Sequence, residues 1–243
     1  MKSVLPRDDD PNITRRRLLK AATHGVLAGG LTLTHLQAAA ALFGRVPTRL
    51  EGRSVYDLDG DVEVNGQRAS LQTRIVPGDV IETGGAGRIA FVVGTDAFTL
   101  RPDTRLQLDG ASGVVRALRL VTGALLSVFG RTPHRVSTTT ATIGIRGTAV
   151  YAESEAARSY VCTCYGVTKI SSSADPSSWE VIRSLGHDMP RYIEADAPAG
   201  EAILGAPLKN HTDIELKTLE ALVGREVPFG FSFDRYRPRA RDY

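Results

Sequence analysis

Two cysteines, Cys162 and Cys164, stand one residue apart in Tyr160-Val161-Cys162-Thr163-Cys164-Tyr165-Gly166-Val167, and the chain holds no others. The β-branched and aromatic residues around them predict a strand that ends in a turn at Gly166. Residues two apart in a strand face the same side, so the two sulfurs lie side by side. Adjacent thiolates make half of a tetrahedral set for a soft or borderline ion. The other half is offered by His187 and His211, in Gly186-His187-Asp188 and Asn210-His211-Thr212-Asp213. Each has an aspartate close by to orient its imidazole. Cys162, Cys164, His187 and His211 together would suit zinc or a copper ion, although their spacing is not that of a zinc finger.

Two other fates are open to the thiols. In an oxidising compartment a disulfide is the ordinary outcome, but extended geometry separates the Cα atoms by about 6.5 Å, near the upper limit for a bridge. Burial as two small free thiols is the third. Nothing else suggests catalysis: no Ser-His-Asp order, paired-carboxylate signature or nucleotide loop stands out, and a non-enzymatic protein is expected. Gly84-Gly85-Ala86-Gly87 lacks the Gly-Lys-Ser/Thr of a phosphate loop and reads as a β-turn.

The compartment is written at the start of the chain. Thr14-Arg15-Arg16-Arg17-Leu18-Leu19-Lys20 precedes an apolar run from Ala21 to Phe43 that passes through Ala38-Ala39-Ala40-Ala41. A basic segment, a moderately apolar core and small residues describe a secretory signal, and the paired arginines resemble the twin-arginine signature. Residues 1–41 are therefore expected to direct export of a folded protein to the periplasm, with cleavage near Ala40 or Ala41. The alternative is an uncleaved anchor in the inner membrane, since the run is long enough to span. His24, His35, Gln37 and several Gly and Thr weaken it for that use.

Six of the 30 Lys and Arg and three of the 27 Asp and Glu fall within residues 1–41, so 24 of each remain beyond it. That formally neutral remainder argues against a nucleic-acid partner, which needs a basic surface. The residual basic run, Arg235-Tyr236-Arg237-Pro238-Arg239-Ala240-Arg241, belongs to a tail, residues 228–243, expected to be a solvated end.

From Ser54 to Val150, short runs rich in Val, Ile, Leu and Thr are punctuated by Gly, Pro and Asp every eight to twelve residues. That pattern predicts an all-β fold. Asn65-Gly66 predicts a type I′ hairpin turn, and Pro77-Gly78-Asp79 a second turn. Strands are expected at Val80–Thr83, Ile89–Val93, Ala97–Leu100, Arg105–Leu108, Val114–Val121 and Ala124–Phe129. Residues 173–227 read as a short α/β extension with strands at Trp179–Ser184 and Arg191–Ile193. One helix is expected over Asp213–Val223, opened by the capping box Thr212-x-x-Glu215 and stopped by Gly224.

The ordered motifs Gly60-x-Val62-x-Val64-Asn65-Gly66, Pro77-Gly78-Asp79-x-Ile81-x-Thr83-Gly84, Arg88-x-Ala90, Leu100-x-Pro102-x-Thr104, Leu120-x-x-Gly123-x-Leu125 and Thr142-Ile143-Gly144-Ile145-Arg146-Gly147-Thr148 resemble the FecR domain. The likeness covers about a hundred residues within 52–172 and implies a sandwich or roll of many strands outside the cytoplasm. Within the closing motif, Arg146 is expected to be a structural hydrogen-bonding centre. The family includes regulators that pass transporter occupancy to an anti-sigma segment, but only thirteen residues precede Thr14, so a sigma-binding arm is not expected. The expectation is a binding or scaffolding module with an envelope protein as partner. The alternative is an envelope signalling protein whose Cys-x-Cys is purely structural.

Overall fold

The computed structural model describes residues 52–229; residues 1–41, where the export signal is expected, and nearly all of the Arg-rich tail lie outside them. Among the described residues no helix is long and apolar enough to cross a membrane. The all-β expectation holds. The strands are β1 (Val55–Asp59), β2 (Val62–Val64), β3 (Gln67–Arg68), β4 (Val80–Thr83), β5 (Arg88–Val93), β6 (Asp96–Leu100) and β7 (Arg105–Ala111). They continue with β8 (Val114–Val128), β9 (Pro133–Ser137), β10 (Ala141–Ser154), β11 (Arg158–Ser172), β12 (Trp179–Ser184), β13 (Arg191–Glu194) and β14 (Ile203–Gly205). One helix, α1 (Asp213–Leu222), follows.

Local chemistry explains the turns. Asn65 and Gly66 both adopt positive φ, 54° and 74°, as a type I′ turn requires. The Asn65 carboxamide donates to Asp79 and accepts from the Val80 amide, tying this hairpin to the Pro77-Gly78-Asp79 turn. Gly87 N–H donates to the Gly84 carbonyl at 2.8 Å, so the Gly-rich stretch is a β-turn.

All fourteen strands join one sheet through antiparallel pairings, with one parallel contact between β8 and β9. One face of most strands converges on an apolar interior that includes Val55, Ile81, Phe98, Leu120, Val136, Ile170 and Ile193. The opposite face of β6, β8, β10 and β11 carries a second cluster, with Leu126, Tyr151, Tyr160, Cys162 and Cys164 meeting Leu216, Leu219 and Leu222 of α1.

Strict alternation would keep one parity on each face, but β-bulges change the phase. In β8, Leu118 and Leu120 face the interior, and after Gly123 so does Leu125. Gly123 has φ +81°, and a Cβ there would lie 2.5 Å from Thr104 Cα, so only glycine fits. The two strands expected at Val114–Val121 and Ala124–Phe129 are accordingly one bent strand. The expected turn at Gly166 is corrected in the same way. β11 runs on to Ser172, and Gly166, with φ +88° and Thr148 packed against its α-carbon, is a bend inside it. The facing register of β10 slips between Arg146 and Val150.

Arg146 itself is exposed and shows no side-chain hydrogen bond among the described residues. Its neighbour Gly147 holds a positive φ of 59°, and the expected hydrogen-bonding role of Arg146 falls away.

Strands β12, β13 and β14, from the segment read as an extension, add to the same sheet. Both β12 and β13 pair with one edge of β11: β12 along Gly166–Ser171, β13 along Arg158–Val161. The residues between them in β11 are Cys162 to Tyr165. The connection from Leu185 to Pro190 therefore passes beside the two cysteines.

Candidate metal centre

Three separate segments meet on the second face. β11 supplies Cys162 and Cys164, whose side chains both project toward α1. The β12–β13 connection supplies His187, whose amide donates to the Cys164 carbonyl at 3.0 Å. Its left-handed backbone, φ 56°, turns the ring back over the strand; histidine is among the few residues that adopt this conformation with any frequency. The segment before α1 supplies His211, just after Asn210 at φ 60° and just before the cap. Thr212 and Glu215 form the expected capping box, which fixes where the helix begins and hence where His211 points.

All four side chains are buried, and their ligating atoms lie within 4.8 Å of one another. His187 Nδ1 is 2.8 Å from His211 Nε2 and 3.7 Å from Cys162 Sγ. Tetrahedral zinc bonds would set edges of about 3.3 Å between nitrogens, about 3.5 Å between nitrogen and sulfur and about 3.8 Å between sulfurs. Both cysteines are free thiols.

The outer nitrogens decide what the inner ones can do. His187 Nε2 lies 3.0 Å from Asp213 Oδ1, and His211 Nδ1 lies 2.7 Å from the Lys209 carbonyl. Both acceptors require an N–H, so the neutral imidazoles are assigned as the Nε2–H tautomer in His187 and Nδ1–H in His211. Each then aims a lone pair inward, and the two lone pairs face each other across 2.8 Å. Without a shared proton or a cation that contact is repulsive.

The sulfurs point the same way. Cys162 is held well below the usual thiol range, first by hydrogen bonding with Cys164 and then by the two histidines, against the opposing effect of burial. Cys164 is pushed well above it, first by burial and then by its neighbour Cys162. Two thiolates so close repel, so without a cation the pair favours one thiolate and one thiol.

The aspartates expected beside each histidine exchange duties. Asp213, two residues after His211 in sequence, orients His187; Asp188, adjacent to His187, instead accepts from the Ser184 hydroxyl. The Lys209 carbonyl orients His211. Sequence proximity pointed to the right kind of partner for His187 but to the wrong residue, because the ring turns away from its own aspartate.

A polar brace missed in the sequence holds the His211 segment. The Tyr151 ring stacks on His211 with centroids 4.5 Å apart, and its hydroxyl donates to Glu153 at 2.7 Å. Glu153 also accepts from Asn210 at 2.7 Å and pairs with Lys209 at 2.6 Å. Burial alone would raise Glu153, yet these donors, Lys209 foremost, hold it below the usual carboxylate range. On the far side Arg101 donates to the Asn210 carbonyl at 2.8 Å and pairs with Glu215 at 2.7 Å. Tyr151 and Glu153 were detectable only as alternate residues of a strand.

The one other histidine among the described residues, His134, lies apart from this cluster. It pairs with Asp96 at 2.9 Å and packs on Phe129, a buried structural contact.

No protein-family model matches the chain, and no curated protein matches it. Among solved structures, two crystal structures of a proposed anti-sigma factor from Parabacteroides distasonis ATCC 8503, at 1.65 Å and 2.50 Å resolution, overlap it with a TM-score of 0.43 at 13% identity. The overlap covers 52% of this chain and 58% of that one, little more than half of either. The fold and site thus define an all-β protein with a buried Cys₂His₂ cluster, and a likeness of this size carries no function across.

Proposed function

We propose that this protein is an exported, non-catalytic FecR-like module in which Cys162, Cys164, His187 and His211 hold one zinc ion. The observation that carries the proposal is the pair of opposed imidazole lone pairs, oriented from outside by Asp213 and Lys209, with two buried sulfurs whose atoms lie within 4.8 Å of them. A tetrahedral N₂S₂ set favours zinc over the harder divalent ions. Four protein ligands leave no open position for a substrate, so the ion's role is structural. It fastens the His187 connection and α1 to the sheet, and the module presents the resulting surface to an envelope partner.

The FecR-like motifs and the twin-arginine-type segment support the rest of this reading. Export in the folded state would let the thiols take up the ion before they meet an oxidising compartment. The test is metal analysis of the full chain purified from the periplasm, with cobalt substitution as a spectroscopic check. About one equivalent of zinc and a thiolate-to-cobalt charge-transfer band are expected. No bound metal, together with unchanged stability of Cys162→Ser, would overturn the proposal. Crosslinking in the periplasm should recover a specific envelope protein.

A further inference from the structure

Beside the metal cluster, on the same face of the sheet, lies an open cavity of about 1140 Å³. Its apolar walls include Phe129, Tyr165, Val223 and Phe229. Large apolar cavities with a few convergent polar groups are the usual form of a small-molecule site.

The polar groups here are mainly guanidinium. Arg225 is fixed by two contacts, Nε to Glu220 at 2.6 Å and Nη1 to the Thr95 carbonyl at 2.6 Å. Its Nη2 is buried and has no hydrogen-bond partner. Arg131 and Arg183 also line the cavity; both are exposed, and neither has an ion pair or hydrogen bond among the described residues. Of the two acids on the wall, Glu220 is already engaged by the Tyr165 hydroxyl and by Arg225. Glu226 is the other, so the acids leave an excess of positive charge. A buried donor without an acceptor is costly, and a carboxylate can accept two parallel hydrogen bonds from a guanidinium.

The three segments that build the Cys/His cluster also form one wall of the cavity. Tyr165 follows Cys164, Leu185 precedes His187 by two residues, and Glu220 and Val223 close the helix that His211 introduces. Phe229 touches both sites: its ring centroid is 5.8 Å from that of Tyr165 and 6.0 Å from that of His187. A cavity whose walls are separate segments keeps its shape only while those segments are held together.

We infer that this cavity binds an amphipathic carboxylic acid, with its apolar body against Phe129, Tyr165 and Phe229 and its carboxylate on Arg225, and that the neighbouring metal holds the cavity open for it. The coupling rests on the zinc proposal; the cavity chemistry does not.

The test uses laurate as the probe, titrated calorimetrically into the zinc-loaded full chain. One equivalent should bind. Arg225→Gln should weaken binding at least tenfold while zinc content stays at one equivalent, and Arg183→Gln, at an exposed position, should weaken it several-fold. Chelation of the metal should also weaken it at least tenfold. Laurate binding that ignores both arginines, or no binding to folded, zinc-loaded protein, would overturn the inference. Sedimentation as a dimer that Arg225→Gln returns to monomer, with no heat from laurate, would assign the cavity to a second copy and also overturn it. Arginine-dependent binding to protein that holds no metal would retain the cavity and overturn the coupling together with the zinc reading.

Discussion

The two faces of the sheet solve the same burial problem with different chemistry. The interior face is filled by Val, Ile, Leu and Phe, residues whose contribution is removal of apolar area from water, about 25 cal/mol per Å². The face under α1 instead carries Tyr151, Tyr160, Tyr165, Cys162 and Cys164, and into it fold His187 and His211. Each of those side chains has a polar or soft atom that must find a partner once buried. The contrast teaches where a site can form. An aliphatic core is satisfied by density alone, whereas a mixed face is stable only if its polar atoms converge on one another or on a ligand.

Removing the proposed zinc should produce the largest difference between the faces. Structural zinc contributes on the order of 10 kcal/mol in small zinc domains, and even a fraction of that should lower the melting temperature clearly on chelation. Hydrogen exchange should then rise in α1 and the Leu185–Pro190 connection and change little in β5, β6 and β8; uniform loss of protection would deny that the faces are separable. A cavity in the other face should do the converse. Leu120→Ala is expected to cost about 3 kcal/mol in denaturant unfolding, with bound zinc still at one equivalent.

Asp213→Asn should sharpen the picture of how the histidines are held. It should weaken metal affinity roughly 10- to 100-fold in a chelator competition, while Asp188→Asn should leave it unchanged. Equal effects of the two would mean that sequence neighbours, not spatial ones, orient the rings.

The smallest effect is expected at the brace. Glu153→Gln should cost about 1 to 2 kcal/mol at neutral pH. Because folding lowers the pKa of Glu153 from 4.5, its contribution is fully present above that value and is lost as pH falls through the folded pKa. The difference between wild type and Glu153→Gln should therefore close in acid; a difference that persists unchanged at pH 3 would remove the carboxylate from the account.

Much of the frame was legible because it is local. The Asn65-Gly66 turn, the alternating strands and the Thr212/Glu215 cap each follow from side chains acting on their own backbone. The bends at Gly123 and Gly166 were not legible: the glycines were visible, but whether one ends a strand or bends it depends on what packs against it, Thr104 and Thr148 here. The four candidate ligands were legible by type, since cysteine and histidine are few.

The sequence by itself determined the β class, the hairpins, the helix start and the short list of groups able to hold an ion. Only the tertiary structure decided that β12 and β13 dock consecutively on one edge of β11, which brings their connection, and His187, beside Cys162 and Cys164. Only it decided that Asp213 rather than Asp188 holds that ring. The physical reason is range: periodicity and capping act over a few residues, whereas the site joins positions 25 and 24 residues apart, and strand register across the sheet sets which of them meet.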